Sequence, residues 1–378
     1  MNTIYRDIIT MKTSLKSKLL NMLLLFVAAM AVTACSNDDD TSAEQTEKVN
    51  VRMVFVAGAH TEAMRGLKDN DAVATGAKNE NIMRDLTVAI FDNTGIVIGY
   101  YSDNVSDVTQ SVQTVNITTH AAPNCTVYAI ANAGKDNFYD CTTKAQYDAK
   151  KTPTLASAEA LGNADRVIMF GKAESQNIVQ GATIGTIQME HICSKVELYV
   201  EPKLSENITV TGWQLHHVPD GAFISDDDKN VWTGGFSDFT AETGQNVTGS
   251  SPSLPQLVET FYLYQNYAGT VTGLTTEEER NSFNAPTNAT YLTIDANTVV
   301  WESVFTVYLG GEALTGAATD DFKDFNVYRN YHYKVYVKID GAEGPDVRIS
   351  RTNILTIAFS ATVTALTAEA SDRDVTFN

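Results

Sequence analysis

Residues that could bind a metal or act as a general base are few in this chain and poorly spaced for either task. His216 and His217 are adjacent, and adjacent side chains of a strand point to opposite faces, so the pair is not expected to share one metal ion. The acidic runs at 226–228 and 320–321 lack the alternating oxygen ligands and distal glutamate of a calcium loop. No HExxH, GxSxG, GxGxxG or Walker pattern occurs. The sequence therefore predicts no enzyme, no catalytic residues, no metal and no cofactor.

The one chemical modification that the sequence supports is the attachment of lipid to Cys35. Three lysines precede an apolar run over residues 19–34, which is too short and ends too abruptly for a membrane span. The small residues before Cys35 suit a signal peptidase that cuts ahead of a diacylated cysteine, as in bacterial lipoproteins. We therefore predict a lipoprotein signal peptide at 1–34 and lipidation of Cys35. An ordinary secretory signal followed by an incidental cysteine is the alternative.

The segment that follows, residues 35–47, is polar and begins with three consecutive aspartates at 38–40. We interpret it as a flexible acidic tether that holds a folded body off the membrane, and not as a metal site. Lipidation would leave Cys125, Cys141 and Cys193, an odd number with no CxxC spacing. Cys125 and Cys141 could form a disulfide or remain two buried thiols, and Cys193 reads as a core residue of a strand.

Composition indicates an exported β-rich protein of more than one domain. The chain has 378 residues, of which 43% are hydrophobic, enough for two sizeable cores. Valine, isoleucine, threonine, tyrosine and phenylalanine are plentiful, as in sheets. The net charge of −19 excludes nucleic acid as a partner, because the protein could not neutralise a phosphate backbone.

Two segments alternate apolar and other residues most regularly. In Val49–Ala57, the residues Val49, Val51, Met53, Phe55 and Ala57 share one face of a predicted strand. In Leu355–Ala365, the shared face holds Leu355, Ile357, Phe359, Ala361, Val363 and Ala365, and threonines and a serine occupy the other. The first segment begins the folded body and the second lies close to the chain end.

Further strands are predicted between these two segments, at 86–91, 96–101, 112–117, 126–131, 167–170, 186–189, 196–200, 208–215, 261–264, 290–294, 304–309 and 332–339. Residues 143–161 are expected to hold short helical turns, and 220–253 to be long surface loops. The predicted fold is all-β with minor helices: two antiparallel β-sandwich (transthyretin-like) domains in tandem. We place the domains at 66–203 and 204–378, with Pro202 at the boundary.

Several of these landmarks together resemble the fimbrillin family, the FimA-type subunits of type V pili in Bacteroidetes. They are Cys35, the strand 49–57, the loop residues Arg65-Gly66, and the blocks 86–91, 127–134, 167–171, 261–266 and 328–335. The Arg-Asn-x-x-Tyr block from Arg329 to Tyr333 is the most specific. The chain departs from the family in having Thr364-Ala365-Leu366 where fimbrillins often carry a tryptophan.

The resemblance implies how the protein is processed. Residues 48–65 would be a propeptide whose first strand is displaced after an arginine-specific or trypsin-like protease cuts between Arg65 and Gly66. The lipid anchor would be lost with it, so membrane anchorage would be transient. A neighbouring copy, or a related pilin, would then insert its strand 355–365 into the vacated groove. The expected location is a fimbrium on the bacterial outer membrane surface.

Other readings stay open at the level of sequence. Both terminal strands could complete their own domains in a monomer. The protein could be a pilus tip adhesin, which would bind a host or bacterial surface ligand, or an anchor, which would keep its lipid. It could also be a monomeric carbohydrate-binding lipoprotein that uses Trp213, Trp232 and Trp301, although dispersed tryptophans are more often core residues.

Overall fold

The structure is a computed structural model that describes residues 48–57, 81–107, 112–162, 167–225, 231–311, 321–342 and 345–353. The first half of the chain forms β1 (Lys48–Ala57), β2 (Asp85–Phe91), β3 (Val97–Asn104), β4 (Val112–His120), β5 (Ala122–Ala131), β6 (Met169–Ile178), β7 (Thr183–His191) and β8 (Cys193–Pro202). The second half forms β9 (Thr209–His216), β10 (Val218–Pro219), β11 (Phe236–Ser237), β12 (Glu242–Thr248), β13 (Gln256–Tyr264), β14 (Asn266–Thr270), β15 (Tyr291–Asn297), β16 (Glu302–Tyr308), β17 (Asp324–Val327), β18 (Tyr331–Ile339) and β19 (Pro345–Asn353).

Helix is a minor component of the described ranges. It comprises α1 (Lys144–Asp148) and two short 3-10 turns, Ala158–Ala160 and Leu204–Glu206. Helix α1 begins where it does because Thr143 accepts a hydrogen bond from the Gln146 backbone N–H while the Gln146 side chain caps the Thr143 backbone. The all-β fold with minor helices that the sequence predicted is confirmed.

The first sheet has the strand order β3-β2-β5-β6-β7-β1-β4. It turns sharply between β6 and β7, which pair only through Met169 with His191 and Phe170 with Glu190. Its two ends approach each other, because the Thr119 hydroxyl of β4 donates a 2.7 Å hydrogen bond to the Ile98 carbonyl. At Gly99 a Cβ atom would lie 2.6 Å from the Thr119 hydroxyl oxygen, so this approach requires glycine. The sheet thus folds over itself and encloses an apolar core.

The second sandwich consists of two four-stranded sheets. Their strand orders are β12-β9-β15-β16 and β13-β8-β18-β19, and one large core fills the space between them. Strand β8 pairs with β13 and in parallel with β18, so residues 193–202 share the sheet of the second half. From the sequence, this strand was assigned to the domain 66–203. In the structure, its hydrogen-bonded partners β13 and β18 both belong to the second half of the chain. The domain division itself stays a prediction.

The strand pairing corrects one further prediction and adds a strand that the sequence did not predict. The region 220–253, expected to be surface loops, contributes the edge strand β12, which pairs with β9. Its residues are mostly exposed, and for that reason they lack an apolar alternation. Strand β19, which pairs with β18 along its whole length, was not predicted, since Asp346, Arg348 and Arg351 interrupt its apolar pattern.

The Arg329–Tyr333 block joins the two sandwiches. Asn330 has a φ of 60°, and its backbone N–H donates to the Cys193 carbonyl at 2.7 Å. Its side-chain oxygen accepts from the His191 backbone N–H at 3.2 Å, and the Arg329 guanidinium lies 5.6 Å from the centre of the Phe170 ring. The motif therefore fixes the start of β18 against the corner between β7 and β8.

The cysteines of the described residues are all free thiols. Cys125, Cys141 and Cys193 are buried, which decides between the two alternatives for Cys125 and Cys141. Burial raises the pKa of the Cys125 and Cys141 thiols, so both stay protonated at neutral pH. In the described part of the chain, no helix has the length and apolar character needed to cross a bilayer.

Candidate functional site

Strand β1 has one fully buried face, as its sequence predicted. Val49 and Val51 are 1% exposed, and Met53, Phe55 and Ala57 are 0% exposed. The alternate residues Lys48, Asn50 and Arg52 are exposed, and Val54 and Val56 are half-buried. The buried side chains belong to a core that also contains Val115 and Ile117 of β4, and Ile184, Ile187 and Met189 of β7. The predicted apolar face of the first strand is confirmed by this burial.

Strand β1 is an internal strand of its sheet. It pairs antiparallel with β4 over nine positions, from Lys48 opposite His120 to Val56 opposite Val112. On its other side it pairs in parallel with β7, from Arg52 beside Thr183 to Ala57 beside Met189. The space between β4 and β7 that β1 occupies is called the β1 slot below. A strand in the β1 slot satisfies backbone groups on both sides at once.

Strand β4 depends on β1 for its place in the sheet. Among the strands that the structure describes, β1 is the one with which β4 forms a ladder. Removal of β1 would therefore leave β4 without a strand partner and expose the facing edge of β7. Unpaired edges of this kind are open to pairing with a strand of another chain.

Polar contacts fix the outward face of β1 at its beginning. The Asn50 carbonyl accepts from the Gly181 N–H at 3.0 Å, and the Asn50 N–H donates to the Gln180 side chain at 3.0 Å. The Thr118 hydroxyl donates to the Asn50 side-chain oxygen at 2.6 Å. These bonds come from the turn before β7 and from β4, so they define the register of β1 as well as its packing.

The other residues of the predicted site lie outside the described residues. These are Cys35, the cleavage residues Arg65 and Gly66, and the donor residues Leu355, Ile357, Phe359, Ala361 and Val363. The structure describes the chain on both sides of the cleavage loop, with Ala57 at the end of β1 and Asn81 before β2. Strand β19 ends at Asn353, just before the donor segment, at the edge of its sheet.

The walls of the β1 slot were not identified as functional from the sequence. Strands β4 and β7 alternate apolar residues, but nothing in that pattern distinguishes them from the other strands. Their role follows only from their position on either side of β1, which is a tertiary property.

The side chains that could do chemistry are dispersed. No cluster of three or more histidine, cysteine, aspartate or glutamate side chains suited to a metal occurs among the described residues. His216 stacks on the Tyr291 ring at 4.6 Å, and His217 meets the same ring edge-on at 5.4 Å. The expectation that their rings lie on opposite faces was wrong, because His217 has a φ of 56° and leaves the strand geometry.

The tryptophans do not offer a shared sugar-binding surface. Trp213 is only 5% exposed in the second core, and Trp301 packs against that core. The Trp232 indole N–H donates to Asp220, and its ring lies against Gly221 and Gly234. The expectation that dispersed tryptophans are packing residues holds for Trp213 and Trp301.

Solved structures with this fold come from fimbrial proteins of Bacteroidetes. One is the tip fimbrial protein Mfa3 of Porphyromonas gingivalis, with 13% identity, a TM-score of 0.56, and coverage of 81% of this chain and 100% of that chain. Another is a fimbrilin (FimA) of Porphyromonas gingivalis, with 13% identity, a TM-score of 0.54, and coverage of 81% and 97%. A candidate cell adhesion protein of Parabacteroides distasonis has 12% identity, a TM-score of 0.55, and coverage of 81% and 96%. At these identities the likeness shows the fold, which is that of fimbrial and adhesion proteins.

Sequence families give the more specific assignment. The family described as "Major fimbrial subunit protein (FimA)" matches residues 48–207, which include β1 and the whole first sheet. A domain of unknown function matches residues 261–337, and no curated protein matches the chain. The resemblance to the fimbrillins that the sequence indicated is thereby confirmed over residues 48–207.

Proposed function

We propose that this protein is a structural subunit of a surface pilus that assembles by replacement of β1 with a strand of a neighbouring subunit. The observation that carries the proposal is the β1 slot, an internal position with a fully buried face, at the very start of the folded body. The first strand of the folded body can be lost without breaking any other connection in the sheet. The family match to fimbrial subunits supports the same role.

The covalent chain makes β1 removable. Residues 58–80 connect β1 to the rest of the first sheet, and Arg65-Gly66 lies within them. A cut there leaves 48–65 attached only through the packing and ladder contacts of β1. Export as a lipoprotein through Cys35 would hold the precursor at the membrane until the same cut frees it. A protease with trypsin-like or arginine specificity is the maturation partner in this scheme.

Once the β1 slot is empty, the binding of another strand in it is strongly favourable in free energy. Burying one large apolar side chain contributes roughly 1.5–3 kcal/mol, so the β1 face contributes on the order of 5–10 kcal/mol. The empty slot exposes this apolar surface to water together with the backbone groups of β4 and β7. Assembly offsets that cost, which makes cleavage the step that starts polymerisation.

The C-terminal segment supplies the matching strand. The apolar face of β1 ends in Phe55-x-Ala57, and that of the donor segment contains Phe359-x-Ala361. Aligning these pairs places Ile357 at the position of Met53 and Leu355 at the position of Val51. A donor from one subunit and a slot on the next make a contact that does not close on itself, and such contacts generate filaments.

Limited proteolysis of the lipid-free precursor tests the proposal. Cleavage after Arg65 is expected to convert monomers into filaments visible by electron microscopy, and Arg65→Ala should stay uncut and monomeric with an arginine-specific protease. Lys68→Ala, in the same loop, is the matched control and should assemble normally. Complete cleavage at Arg65 without any higher oligomer would refute strand exchange.

The donor face is tested independently of cleavage. Phe359→Asp is expected to abolish assembly of the cleaved protein, because it would place a charge in the apolar slot. Thr362→Asp, on the opposite face of the same segment, is the matched control and should assemble. Equal effects of the two substitutions would mean that the segment does not insert by one face.

A tip or anchor position is the second candidate, favoured by the likeness of the fold to a tip fimbrial protein. The N-terminal residue of protein extracted from cells separates the roles. Gly66 is expected for a processed stalk subunit, and acylated Cys35 for an anchor. A tip subunit would be processed but would be found at filament ends by immunolabelling.

A further inference from the structure

A cavity of about 440 Å³ opens on the second sandwich, away from the β1 slot. It lies between the loop before β15, the strands β15 and β16, and the first residues of β19. Besides Glu278 and Arg280, its polar lining comes from Glu277, Asn281, Ser282, Tyr291, Thr306 and Tyr308. Its volume is within the range of sites that hold a small organic ligand.

The wall of the cavity is fixed by a buried arginine. Arg280 is 3% exposed, and its guanidinium donates to the carbonyls of Phe322, Asp324, Tyr308 and Leu309 at 2.9–3.1 Å. The guanidinium also lies 4.4 Å from the centre of the Phe325 ring. With four backbone carbonyls as acceptors, it anchors the loop to β16 and β17. The cavity wall is therefore held in place by hydrogen bonds to the backbone of neighbouring strands.

A carboxylate oxygen at the cavity lacks a hydrogen-bond partner. Glu277 Oε2 lies 3.4 Å from the Arg280 Nε. The two groups form an ion pair, but their geometry is not that of a hydrogen bond. This oxygen is inaccessible to solvent, although the Glu277 side chain as a whole is 18% exposed at the cavity. Because this oxygen faces Arg280 and is closed to solvent, it holds Arg280 in the cavity wall and is not itself a contact for a ligand.

Aromatic rings and neutral hydrogen-bonding groups complete the lining. The Tyr291 ring is held by stacking on His216 and lies 5.3 Å from the Tyr308 ring. Ser282 and Thr306 contribute hydroxyl groups and are exposed. Phe283, the next residue after Ser282, is 95% exposed, an unusual position for a phenylalanine. Apolar rings next to hydroxyl, amide and carboxylate groups are suited to a ligand that has C–H faces and several hydroxyl groups.

We propose that this cavity binds a neutral sugar residue of a surface glycan. Asn281, Ser282 and Thr306 would exchange hydrogen bonds with its hydroxyl groups, and the tyrosines would contact its apolar face. Glu277 and Glu278 both line the cavity, so acidic sugars are disfavoured by charge. The Nη1 and Nη2 groups of Arg280 already donate to carbonyls and its buried Nε faces Glu277, so the guanidinium is not available to bind acidic groups. The site needs no strand exchange and is present in a single uncut chain.

The test is glycan binding by the uncut, lipid-free chain. A glycan array with neutral, amino and acidic sugars is followed by calorimetry with the best neutral ligand. Thr306→Trp should fill the cavity and weaken binding at least about tenfold. Val304→Trp is the matched control, since Val304 is 61% exposed on the same face of β16 but does not line the cavity. Its affinity should stay within about twofold of the parent.

Three outcomes would overturn the inference. They are no binding to any neutral glycan, binding restricted to acidic or amino sugars, and equal losses of affinity for the two tryptophan variants. Urea unfolding of both variants checks that each is folded, and both positions are exposed, so neither should shift the midpoint. A negative result in the glycan-binding test would not contradict strand exchange. Assembly is measured on cleaved protein, and it depends on the β1 slot in the first sheet and not on the cavity of the second sandwich.

Discussion

The ion pair between Glu277 and Arg280 shows how burial alters the chemistry of single residues. Burial raises the pKa of Glu277 to about 7, and the attraction of Arg280 only partly opposes this. Burial also lowers the pKa of Arg280. Both shifts favour the neutral forms, which means that desolvation outweighs the attraction between the two charges.

The raised pKa of Glu277 predicts that stability falls with pH over a defined window. Between pH 4.5 and 7 the folded protein retains a proton on Glu277 that the unfolded chain has released, so raising the pH lowers the free energy of unfolding. The slope is at most about 1.4 kcal/mol per pH unit. Urea unfolding at several pH values should show this decline, and Glu277→Gln should remove it.

Glu278 provides the control for this measurement. Its pKa is lowered by a hydrogen bond from Thr276, so it titrates below the window, and Glu278→Gln should leave the decline in place. Glu197 also titrates below it: burial opposes ionisation, but the close contact with His332 at 3.2 Å and the hydrogen bond from Tyr199 hold its pKa at about 2. An unchanged pH dependence in Glu277→Gln would show that Glu277 is not the group responsible.

Asn330 combines a strained backbone with side-chain hydrogen bonding at the joint of the two sandwiches. Asn330→Ala should lower the free energy of unfolding by about 2–4 kcal/mol, through the left-handed conformation and the lost acceptor for the His191 N–H. Asn207 has a similar φ of 53° but is exposed, so Asn207→Ala should cost only about 1–2 kcal/mol. Equal losses in chemical denaturation would mean that the Asn330 side chain contributes nothing to the joint.

At the scale of elements, the dependence of β4 on β1 can be measured directly. After cleavage at Arg65 and removal of the released peptide, backbone amides of β4 should lose protection in hydrogen exchange, because their ladder partner is gone. Amides of β2 and β5, which pair with each other, serve as the internal reference. Adding a peptide of sequence 48–57 should restore protection, and unaltered β4 amides would show that the sheet does not need β1.

The proposed register of the donor strand is testable by cross-linking. If Phe359 replaces Phe55, then Thr356 replaces Arg52, which lies opposite Asn116 on β4. A disulfide should therefore form between neighbouring subunits that carry Thr356→Cys and Asn116→Cys. Thr114→Cys is the control partner, two residues away on the same strand. Preferential cross-linking to position 114 would show that the Phe-x-Ala alignment is wrong.

At the scale of the whole molecule, the proposed strand exchange predicts a filament with two different ends, because each subunit would have one slot and one donor. A small fraction of uncut Arg65→Ala subunits should stop growth at one end, because they offer a donor but no vacant slot. Phe359→Asp subunits should stop growth at the other end. Mean filament length in electron micrographs should fall with the fraction of either variant. Unaffected lengths would mean that growth does not proceed by serial donor insertion.

How much the sequence could foretell differs between these scales. The alternation at 49–57 predicted both the strand β1 and the face that it buries, because a period of two dictates which side chains share a face. The same rule missed β12, whose mostly exposed polar residues lie at a sheet edge, and β19, in which charged residues interrupt the apolar pattern of the sequence. Strong local patterns were thus recovered, and strands stabilised mainly by their neighbours were not.

By itself the sequence determined the fold class, the family resemblance, and the two segments whose pattern suits strand exchange. These properties depend on periodicity and local motifs, which can be recognised in short stretches of the sequence. Only the tertiary structure decided that β1 lies between β4 and β7, that Asn330 joins the sandwiches, and that Glu277 shares a cavity with Tyr291 and Thr306. The reason is that strand order and burial arise from contacts between residues far apart in sequence, and local patterns carry no information about which strands become neighbours.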